Sequence, residues 1–491
     1  MELTNTYSKY FKYFLLAVIL YMSIFGHLDT VPIRIWDEAR VVMNAYEMYY
    51  NGKYIVTYFD GHPDMWNTKP PLLIWCQVLF MKIMGINELA VRLPSAIAGF
   101  LTCLAILIFS ERYLKSFWFG FIAIFVLITS LGYVNLHSTR SADYDAMLTL
   151  FTTLSGLIFF AFTETKKYKY LYLFFLFTAL AVLTKSVTGL LFLPAIFLYA
   201  LIRKQIIPLL KSKHFYFGLA GFLVLVVGYY VLRELQNPGY FAAVQQNELG
   251  GRYLEVLEEH NHSFWYYYNN MVDFHLQSWY LLVPLGLIVG AFHKDPKVKR
   301  LTLFVSLMIV LFFLVISFSK TKLLWYDVPM YPFISILIAV FIYWVFQFLS
   351  NSKWINQVFS INVVPFVFLF VIGFDPYQEV LERTYTPKRH DSWSDFYSVS
   401  YYLKNAVKGK HDLNNQYVLY EGYNTHNLFY IKLLNEKGTN ISFKDWTDLS
   451  PGDIVIAHQP HVREYVEQHY MHEVKRADGN VITYEIYGEK E

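Results

Sequence analysis

Residues 36–71 read WDEARVVMNAYEMYYNGKYIVTYFDGHPDMWNTKPP and follow the first long apolar run of the chain. They begin with two carboxylates after the tryptophan, Asp37 and Glu38, and end with Lys69 and two prolines. Asp37 suits a helix N-cap, because its carboxylate can accept backbone N–H groups of the first turn. The apolar residues that follow share one helical face, and Gly52 is a natural C-terminal stop. The stretch therefore predicts an amphipathic helix along a membrane interface, and its carboxylate pair is either a solvated cap or part of an active site.

The composition of the 491-residue chain is that of a polytopic membrane protein. Hydrophobic residues make up 55% and charged residues only 16%, whereas soluble domains carry about 25% charge. The two cysteines lie in apolar sequence, so no disulfide framework is expected. Apolar runs of spanning length predict about eleven transmembrane helices, over 11–28, 93–110, 117–135, 146–163, 169–184, 187–203, 215–232, 277–292, 301–318, 324–349 and 358–374.

The basic residues decide the orientation of these helices. Residues 71–85 are apolar but short, and they contain Gln77 and Lys82, so a span there is ambiguous. If this run does not span, most basic clusters fall on one side, which is the signature of the cytoplasmic face. Those clusters lie at the N-terminus and around 112–115, 166–169, 203–213 and 294–300. We therefore predict that 71–85 is a second interfacial helix on the extracytoplasmic side.

The end of the chain changes character. Residues 376–491 are polar, and strand-like runs interleave with helical patterns there. The predicted fold class is an all-α polytopic membrane protein with extracytoplasmic interfacial helices, plus a small C-terminal α/β domain. The predicted domains are a transmembrane domain over 1–375 and a soluble extracytoplasmic domain over 376–491. We expect a multi-pass protein of the cytoplasmic (inner) membrane whose site and C-terminal domain face the periplasm or outside.

A second acidic cluster lies on the same predicted face as Asp37. Residues 137–148 read HSTRSADYDAML and place Arg140, Asp143 and Asp145 just before an apolar span. Charges at a helix mouth are often interface anchors, and for Arg140 alone this is the better interpretation. Acidic residues near the bilayer need partners and usually serve function, so the two aspartates predict a site shared with Asp37.

Three basic residues on this face could receive an anionic group: Lys69, Lys185 and Arg252. For Lys185 the alternative is a lysine that snorkels at a helix end. Lys69 stands beside two prolines, which stiffen the chain and suit a positioned charge. The sequence has no histidine spacing typical of a metal site, no Gly-rich phosphate loop and no Ser–His–Asp arrangement. A nucleotide-sugar donor and a nucleic-acid partner are therefore not expected.

Taken together, these motifs resemble glycosyltransferase family 39, the group of the protein O-mannosyltransferases and the lipid A aminoarabinose transferase. Bacterial members usually have Thr-Lys-Gly where this chain has Thr184-Lys185-Ser186. The departure affects the backbone turn after Lys185 and not the resemblance as a whole. The resemblance is carried by Asp37-Glu38-Ala39-Arg40 with Glu47-Met48, Lys69-Pro70-Pro71-Leu72, Trp75, Gly85…Glu88…Arg92-Leu93-Pro94-Ser95, Arg140…Asp143…Asp145, Thr184-Lys185-Ser186 and Lys322…Tyr326…Pro329…Pro332.

The resemblance implies a GT-C fold with an extracytoplasmic site and a polyprenyl-phosphate-linked sugar as donor. It implies inverting transfer to lipid A, another glycan or a protein. Asp37 would be the base that takes the acceptor proton, or would act electrostatically if the acceptor is already anionic. The implied roles are catalytic for Asp37, Glu38 and Asp145, donor-phosphate binding for Lys69, Arg252 and Tyr326, and supporting for Arg140, Asp143 and Lys185.

Metal dependence is left open by the resemblance. A divalent cation, if the enzyme uses one, would be held by Asp37, Glu38 and Asp145. Two other functions compete with glycosyl transfer: a membrane transporter and a ligase of lipid-linked glycans. A transporter usually places its charges mid-span at broken helices, often with repeat symmetry. Here the charges lie in loops on one face and no repeat is visible, which favours the transferase.

Overall fold

The computed structural model describes residues 2–135, 137–250, 260–352, 363–385 and 395–490. The chain forms two compact units. The first comprises Met1–Gly26, Gly52–Cys76 and Arg92–Thr386, and the second comprises His27–Asn51, Gln77–Val91 and Pro387–Glu491. The sequence predicted a single domain boundary at residue 375, whereas each observed unit is built from three segments of the chain. In space, two N-terminal segments also group with the C-terminal residues.

Within the described residues, seven helices are long and apolar enough to cross a membrane. They are Glu88–Leu114, Asp145–Thr165, Tyr168–Leu190, Lys213–Gln236, Pro296–Phe318, Leu324–Asn351 and Val364–Arg383. Five shorter apolar helices accompany them: Tyr10–Phe25, Leu72–Met84, Phe117–Ile128, Leu193–Ile202 and Leu282–Phe292. The seven coincide with seven of the predicted runs, and four of the shorter helices fall in the others. The fifth, Leu72–Met84, is the predicted interfacial helix, and the number of spans stays a prediction.

The remaining helical segments of the first unit are short, as are its two strands. Tyr58–Phe59 pairs with His62–Pro63 as an antiparallel hairpin. The short helices and single turns are Leu131–Val134, Ile206–Leu210, Tyr240–Val244, Gln245–Gly250, Tyr266–Asn270 and Met271–His275.

A tight helical hairpin positions the site of the first unit. Asp145–Thr165 and Tyr168–Lys185 are joined at Lys166, whose left-handed backbone (φ +57°) ends the first of the two helices. Midway along the hairpin, Ser155 Oγ and Thr178 Oγ1 lie 2.8 Å apart and share a hydrogen bond. Within lipid the hydrophobic effect does not drive apolar helices together. Hydrogen bonds between hydroxyl groups help to hold such helices in contact. The hairpin therefore brings the start of one helix beside the end of the other.

Small residues allow neighbouring helices of the same unit to approach closely. A Cβ atom at Gly286, on Leu282–Phe292, would lie 2.1 Å from the carbonyl oxygen of Leu337. Only glycine permits this approach to the helix Tyr331–Asn351, as is common where membrane helices pack backbone to backbone.

The second unit contains a five-stranded mixed sheet. In spatial order its strands are Ile441–Lys444, Gln416–Leu419, Ile454–Ala457, Val481–Glu489 and Tyr470–Asp478. The first three are parallel, and the last two are antiparallel to their neighbours. The helices of this region are Ser398–Val407, Thr425–Glu436 and Pro460–His469. The small C-terminal α/β domain predicted from the sequence is confirmed.

The helix predicted from residues 36–71 belongs to this second unit. It runs over Asp37–Asn51 and ends, as predicted, at Gly52, whose φ is +66°. Tyr46 donates a hydrogen bond to Glu436 on the helix Thr425–Glu436. The helix therefore has a protein partner in addition to the interface predicted for it.

Candidate active site

A buried ion pair lies at the open end of the helical hairpin. The Lys185 ammonium donates to Oδ1 and Oδ2 of Asp145 at 2.7 and 2.6 Å. Lys185 is 6% exposed and Asp145 is 1% exposed. Each charge lies at the helix end that favours it, since carboxylates suit the N-terminus and ammonium groups the C-terminus. Burying such a pair costs desolvation that geometry must offset, so the pair is more typical of a working site than of a stabilising device.

The residue after Lys185 explains the departure from Thr-Lys-Gly. Ser186 has φ +52° and ψ −139°, a backbone region that glycine adopts freely and other residues rarely do. Its hydroxyl lies 2.9 Å from Tyr230 Oη and shares a hydrogen bond with it. The turn is therefore built for glycine, and the serine is held there by a side-chain contact that glycine cannot make.

The turn Leu324–Met330 brings two aromatic rings to the same place. Lys185 Nζ lies 5.4 Å from the ring centroid of Tyr326, within the range of a cation–π contact. Trp325 stacks on His137, with ring centroids 3.6 Å apart and planes 9° from parallel. The late sequence motif that contains Tyr326 therefore lies beside the acidic turn, with Tyr326 close to Lys185.

The second aspartate of the turn has its own partners. Asp143 Oδ2 lies 2.7 Å from His137 Nδ1, and Asp143 Oδ1 accepts the Tyr144 N–H at 2.6 Å. Ser95 donates to the Asp143 carbonyl oxygen at 2.9 Å. Burial raises the pKa of Asp143, but the His137 contact, the Lys185 charge and the Tyr144 N–H outweigh it and hold the pKa below its usual value. Asp143 is therefore ionised at neutral pH.

Lys69 lies against the same turn. Its ammonium is 5.6 Å from the ring centroid of Tyr144, the residue between the two aspartates. It is also 3.8 Å from Glu248 Oε1, and its side chain is 15% exposed. The Tyr144 hydroxyl accepts from Asn67 Nδ2 at 2.9 Å. Burial raises the pKa of Tyr144 well above its usual value, so this ring stays neutral and presents its face to the ammonium.

The segment that carries Lys69 is held on both sides. Thr68 Oγ1 donates to Glu248 Oε1 at 3.2 Å, and the Tyr240 hydroxyl donates to the Thr68 carbonyl oxygen at 2.6 Å. Pro70 and Pro71 follow directly and restrict the backbone further. Lys69 is therefore mounted rigidly, as its sequence context predicted.

Arg140 has a structural task within the first unit. Its Nη1 donates to the carbonyl oxygens of Ser23 and Ile24 at 3.2 and 3.1 Å, and its Nη2 donates to that of Gly26 at 2.6 Å. Burial and the charge of Arg92 lower the pKa of Arg140 to about 10, which leaves it charged at neutral pH. Arg140 therefore ties the acidic turn to the end of the first apolar helix.

Asp37 and Glu38 lie in the second unit. Asp37 is half-buried and is the first helical residue, not the cap, because the Trp36 carbonyl accepts the Arg40 N–H at 3.0 Å. Glu38 is buried and its Oε2 accepts the Arg34 N–H at 2.8 Å. Of the other residues proposed from the sequence, Lys69, Asp143, Asp145, Lys185 and Tyr326 come together in the first unit. Arg252 lies outside the described residues.

Known proteins resemble the part of the chain that carries Lys69, Asp143, Asp145 and Lys185. Residues 68–230 match a family described as dolichyl-phosphate-mannose-protein mannosyltransferase. The undecaprenyl phosphate-α-4-amino-4-deoxy-L-arabinose arabinosyl transferase of Aeromonas hydrophila is 26% identical over 366 residues, which is 71% of this chain and 64% of that protein. An uncharacterized protein of Aquifex aeolicus is 25% identical over 355 residues, 72% of this chain and 66% of its own length. The chain thus spans less than two thirds of either relative.

A solved structure shares the fold along nearly the whole chain. ArnT from Cupriavidus metallidurans, bound to undecaprenyl phosphate, matches with a TM-score of 0.68 at 15% identity and covers 96% of each chain. The chain therefore has the fold of this membrane protein, and over residues 68–230 it is similar to the mannosyltransferase family. The resemblance and the fold class predicted from the sequence are both confirmed.

Sequence reasoning missed three residues of this candidate site. His137 pairs with Asp143, Trp325 covers His137, and Glu248 approaches Lys69. His137 opens the acidic turn and stands six positions before Asp143, so its place in the sequence was a usable signal. Glu248 had none, because it lies in a long polar loop where many side chains are equivalent.

A further buried cluster lies beside Tyr326. Asp327 Oδ2 accepts the Tyr331 hydroxyl at 2.8 Å and lies 3.0 Å from His275 Nδ1. Asp327 Oδ1 is buried without a hydrogen-bond partner among the described residues. This cluster fixes the start of the helix Tyr331–Asn351 and thereby the turn that carries Tyr326.

The residues that were expected to hold a divalent cation already have other hydrogen-bond partners in part. Both oxygens of Asp145 accept from Lys185, and Glu38 accepts the Arg34 N–H. A cation at Asp145 would have to displace an ammonium group that already neutralises the carboxylate. Asp145 therefore fits a metal poorly.

Proposed function

We propose that this chain transfers a sugar from a polyprenyl-phosphate-linked donor to an acceptor, with inversion at the anomeric carbon. The reaction takes place at the extracytoplasmic face of the inner membrane. The observation that carries the proposal is the position of Lys69, a rigidly mounted ammonium 5.6 Å from the Tyr144 ring in the turn of Asp143 and Asp145. The arabinosyl transferase relatives, named for an undecaprenyl phosphate-linked sugar, support the same reaction class.

Lys69 binds the donor phosphate and stabilises it as the leaving group. Glu248 is 3.8 Å from the ammonium, longer than a hydrogen bond, so this carboxylate neutralises Lys69 without saturating its three donors. A phosphate gains negative charge as its bond to the sugar breaks. The attraction of Lys69 therefore increases along the reaction, which is the property that accelerates the chemical step. Arg252 is proposed as a second phosphate ligand on the grounds of the family resemblance alone.

Asp145 and Lys185 act as a positioned pair. Because Asp145 already accepts two hydrogen bonds from Lys185, which neutralise its charge, it is a poor base. Its role is to hold the Lys185 ammonium in a fixed position beside the reacting sugar, where the ammonium attracts the departing phosphate. Tyr326, whose ring centroid lies 5.4 Å from the same ammonium, is proposed as a further ligand of the donor phosphate on the grounds of the family resemblance.

Asp37 handles the acceptor. In the transfer step an acceptor oxygen forms a bond to the anomeric carbon, and the bond from that carbon to the phosphate oxygen breaks. The electron pair of the broken bond leaves with the phosphate. A hydroxyl acceptor gives its proton to the Asp37 carboxylate, whereas an anionic phosphate acceptor needs no base and is oriented by the site. Glu38, bonded to the Arg34 N–H, holds the start of the Asp37 helix in place.

Purified protein in proteoliposomes with an undecaprenyl-phosphate monosaccharide tests the proposal. Membrane lipids, lipid A and surface glycans of the host are supplied as acceptors, and released undecaprenyl phosphate is measured. Release that requires both the acceptor and Lys69 is the expected result. Movement of intact donor across the bilayer without cleavage would assign a transporter, and transfer of whole lipid-linked oligosaccharides would assign a ligase.

A further inference from the structure

Trp36 has an unusual backbone and an unusual exposure. Its φ is +66°, which non-glycine residues rarely adopt, and 62% of its surface is exposed. A bulky residue in this region stores backbone strain. The segment before it is anchored, because Tyr430 and Tyr397 hydroxyls accept the N–H groups of Ile33 and Ile35 at 2.9 and 3.2 Å. The second unit thus holds a large aromatic ring outward at a cost in stability.

The Trp36 ring is fixed by one neighbour. Tyr423 stacks on it, with ring centroids 4.6 Å apart and planes 13° from parallel. Tyr423 follows Gly422, whose φ of +90° allows the sharp turn after the strand Gln416–Leu419. One side of the indole is covered by this contact, and the high exposure of Trp36 leaves the rest of the ring to solvent. The two rings form a rigid aromatic platform.

Polar side chains border the platform. Gln459 clamps the loop of Glu421, because its Oε1 accepts the Glu421 N–H at 2.7 Å and its Nε2 donates to the Glu421 carbonyl at 3.0 Å. Glu421 Oε2 lies 2.5 Å from His461 Nε2, and both side chains are more than half exposed. Trp446 makes a T-shaped contact with His461, at 6.0 Å between ring centroids, and helps to fix the imidazole.

The topology of the sheet places the loops that carry these groups at one edge of the sheet. Gln416–Leu419 and Ile454–Ala457 are adjacent parallel strands, so their carboxyl ends lie at one edge of the sheet. After Gln416–Leu419 the chain forms Ile441–Lys444 on one side of that strand. It then forms Ile454–Ala457 on the other side. The connections that follow these two neighbouring strands therefore run in opposite directions across the sheet. Open α/β sheets bind ligands at such switch points.

We propose that the platform of Trp36 and Tyr423, with Glu421, Gln459 and His461 at its border, binds the carbohydrate part of the acceptor. Exposed aromatic rings offer the flat apolar face that the C–H side of a pyranose ring requires, while carboxylate, amide and imidazole groups bond its hydroxyls. Trp36 directly precedes Asp37 in the chain. A sugar on the platform is therefore bound one residue from the carboxylate proposed to act on the acceptor.

This inference rests on the proposed function and narrows its acceptor to a carbohydrate-bearing molecule. A protein acceptor recognised through its peptide is the contrasting outcome. The full chain in lipid nanodiscs is applied to an array of immobilised bacterial glycans, since alkyl-glycoside detergents carry sugars that would compete. The wild type is expected to bind a subset of glycans, and Trp36→Ala and Tyr423→Ala to bind them about tenfold more weakly. Trp36→Phe should retain part of the affinity.

The matched control is Trp265→Ala, which removes a tryptophan of similar exposure, 57%, from the first unit. It should bind glycans as the wild type does, and unchanged thermal midpoints exclude misfolding. Retention of no glycan by the wild type, or equal binding by Trp36→Ala, overturns the inference.

Transfer assays separate this inference from the proposed function. In Trp36→Ala the KM for the acceptor should rise about tenfold while the affinity for the donor lipid is unchanged. Transfer with an unchanged acceptor KM refutes the platform alone. Absence of any cleavage of lipid-linked donors refutes the proposed function, and the array result still decides whether the platform binds sugars.

Discussion

The Lys185 ammonium donates to both carboxylate oxygens of Asp145, 40 residues earlier in the chain, at 2.7 and 2.6 Å. The two residues close the open end of one helical hairpin and are almost fully buried. Neither charge can be removed alone without leaving the other uncompensated, so a single substitution mixes loss of stability with loss of function. The two effects separate only when both partners are changed.

Asp145→Asn should lower both stability and transfer. Removing one partner of a buried ion pair typically costs about 3–5 kcal/mol, because the remaining charge is stranded. The double variant Asp145→Asn/Lys185→Met removes both charges and should regain most of the thermal midpoint while transfer stays low. Thermal unfolding in detergent and single-turnover transfer are measured on the same samples. Recovery of transfer in the double variant would make the pair purely structural.

Asp143→Asn is the matched comparison in the same turn. It removes a carboxylate whose partner is His137, not Lys185, and we expect a smaller loss of transfer than for Asp145→Asn.

Lys69→Ala and Glu248→Gln should change donor binding in opposite directions. Lys69→Ala removes the proposed phosphate ligand, so donor affinity falls and the reaction slows. Glu248→Gln keeps the shape of the side chain but removes a negative charge 3.8 Å from the ammonium, so donor affinity should rise several-fold. Binding of a fluorescent polyprenyl phosphate to both variants is the measurement. Equal donor affinity of Lys69→Ala and wild type would remove Lys69 from the phosphate site.

Asp37→Asn separates an acceptor role from a structural one. General-base catalysis is commonly worth about 10²–10⁴-fold, so turnover should fall by this range while donor binding is retained. Asp37 lies in the first turn of its helix, and loss of a charge there costs about 0.3–1 kcal/mol at most. A purely structural Asp37 therefore predicts a slightly less stable but active variant. Donor binding and single-turnover transfer on the purified variant decide between the two.

Single cysteines report the orientation of the chain. After replacement of Cys76 and Cys103, cysteines at Lys115 and Lys167 should resist a membrane-impermeant thiol reagent in intact cells, while one at His62 should react. All three positions are exposed, so accessibility depends on the side of the membrane. Labelling of positions 115 and 167 from outside would reverse the proposed topology.

His426 should make the stability of the second unit depend on pH. Burial lowers the pKa of this histidine from 6.5 to about 4, and its ring nitrogens have no hydrogen-bond partner in the described part of the chain. Between these pH values the unfolded chain binds a proton that the folded chain excludes, so the free energy of unfolding falls as pH falls. The full change is about 3 kcal/mol, because the pKa falls from 6.5 in the unfolded chain to about 4 in the folded chain.

Thermal midpoints of the wild type and of His426→Leu between pH 7.5 and 5 measure this effect. The variant should show the flatter profile over the acidic half of the range. Parallel profiles would show that His426 does not exclude its proton.

The helices could be predicted because hydrophobic length is a property of consecutive residues. The same holds for the α/β character of the last hundred or so residues, where alternating patterns are local. The association of Asp37–Asn51 with the C-terminal residues was not predictable in this way. It depends on contacts such as Ile33 with Tyr430, 397 positions apart, which leave no periodic trace in the sequence.

The same distinction between local and long-range features applies to the candidate site. Asp143, Asp145, Lys69 and Lys185 stood out because charges beside apolar spans are costly. The partner of each charge was not apparent, because pairing depends on how two helices align. The strained turn at Ser186 was visible only as a missing glycine, and its backbone angles supply the reason.

The three hydrogen bonds of Arg140 also bear on the order in which the protein is made. Gly26, one of its acceptors, leaves the ribosome 114 residues before Arg140 does. Until then the carbonyl groups at the end of the first helix lack the guanidinium group that binds them in the folded chain. We expect that helix to settle at its final depth only after the acidic turn has been synthesised, so that biosynthesis itself couples the placement of the first apolar helix to completion of this turn.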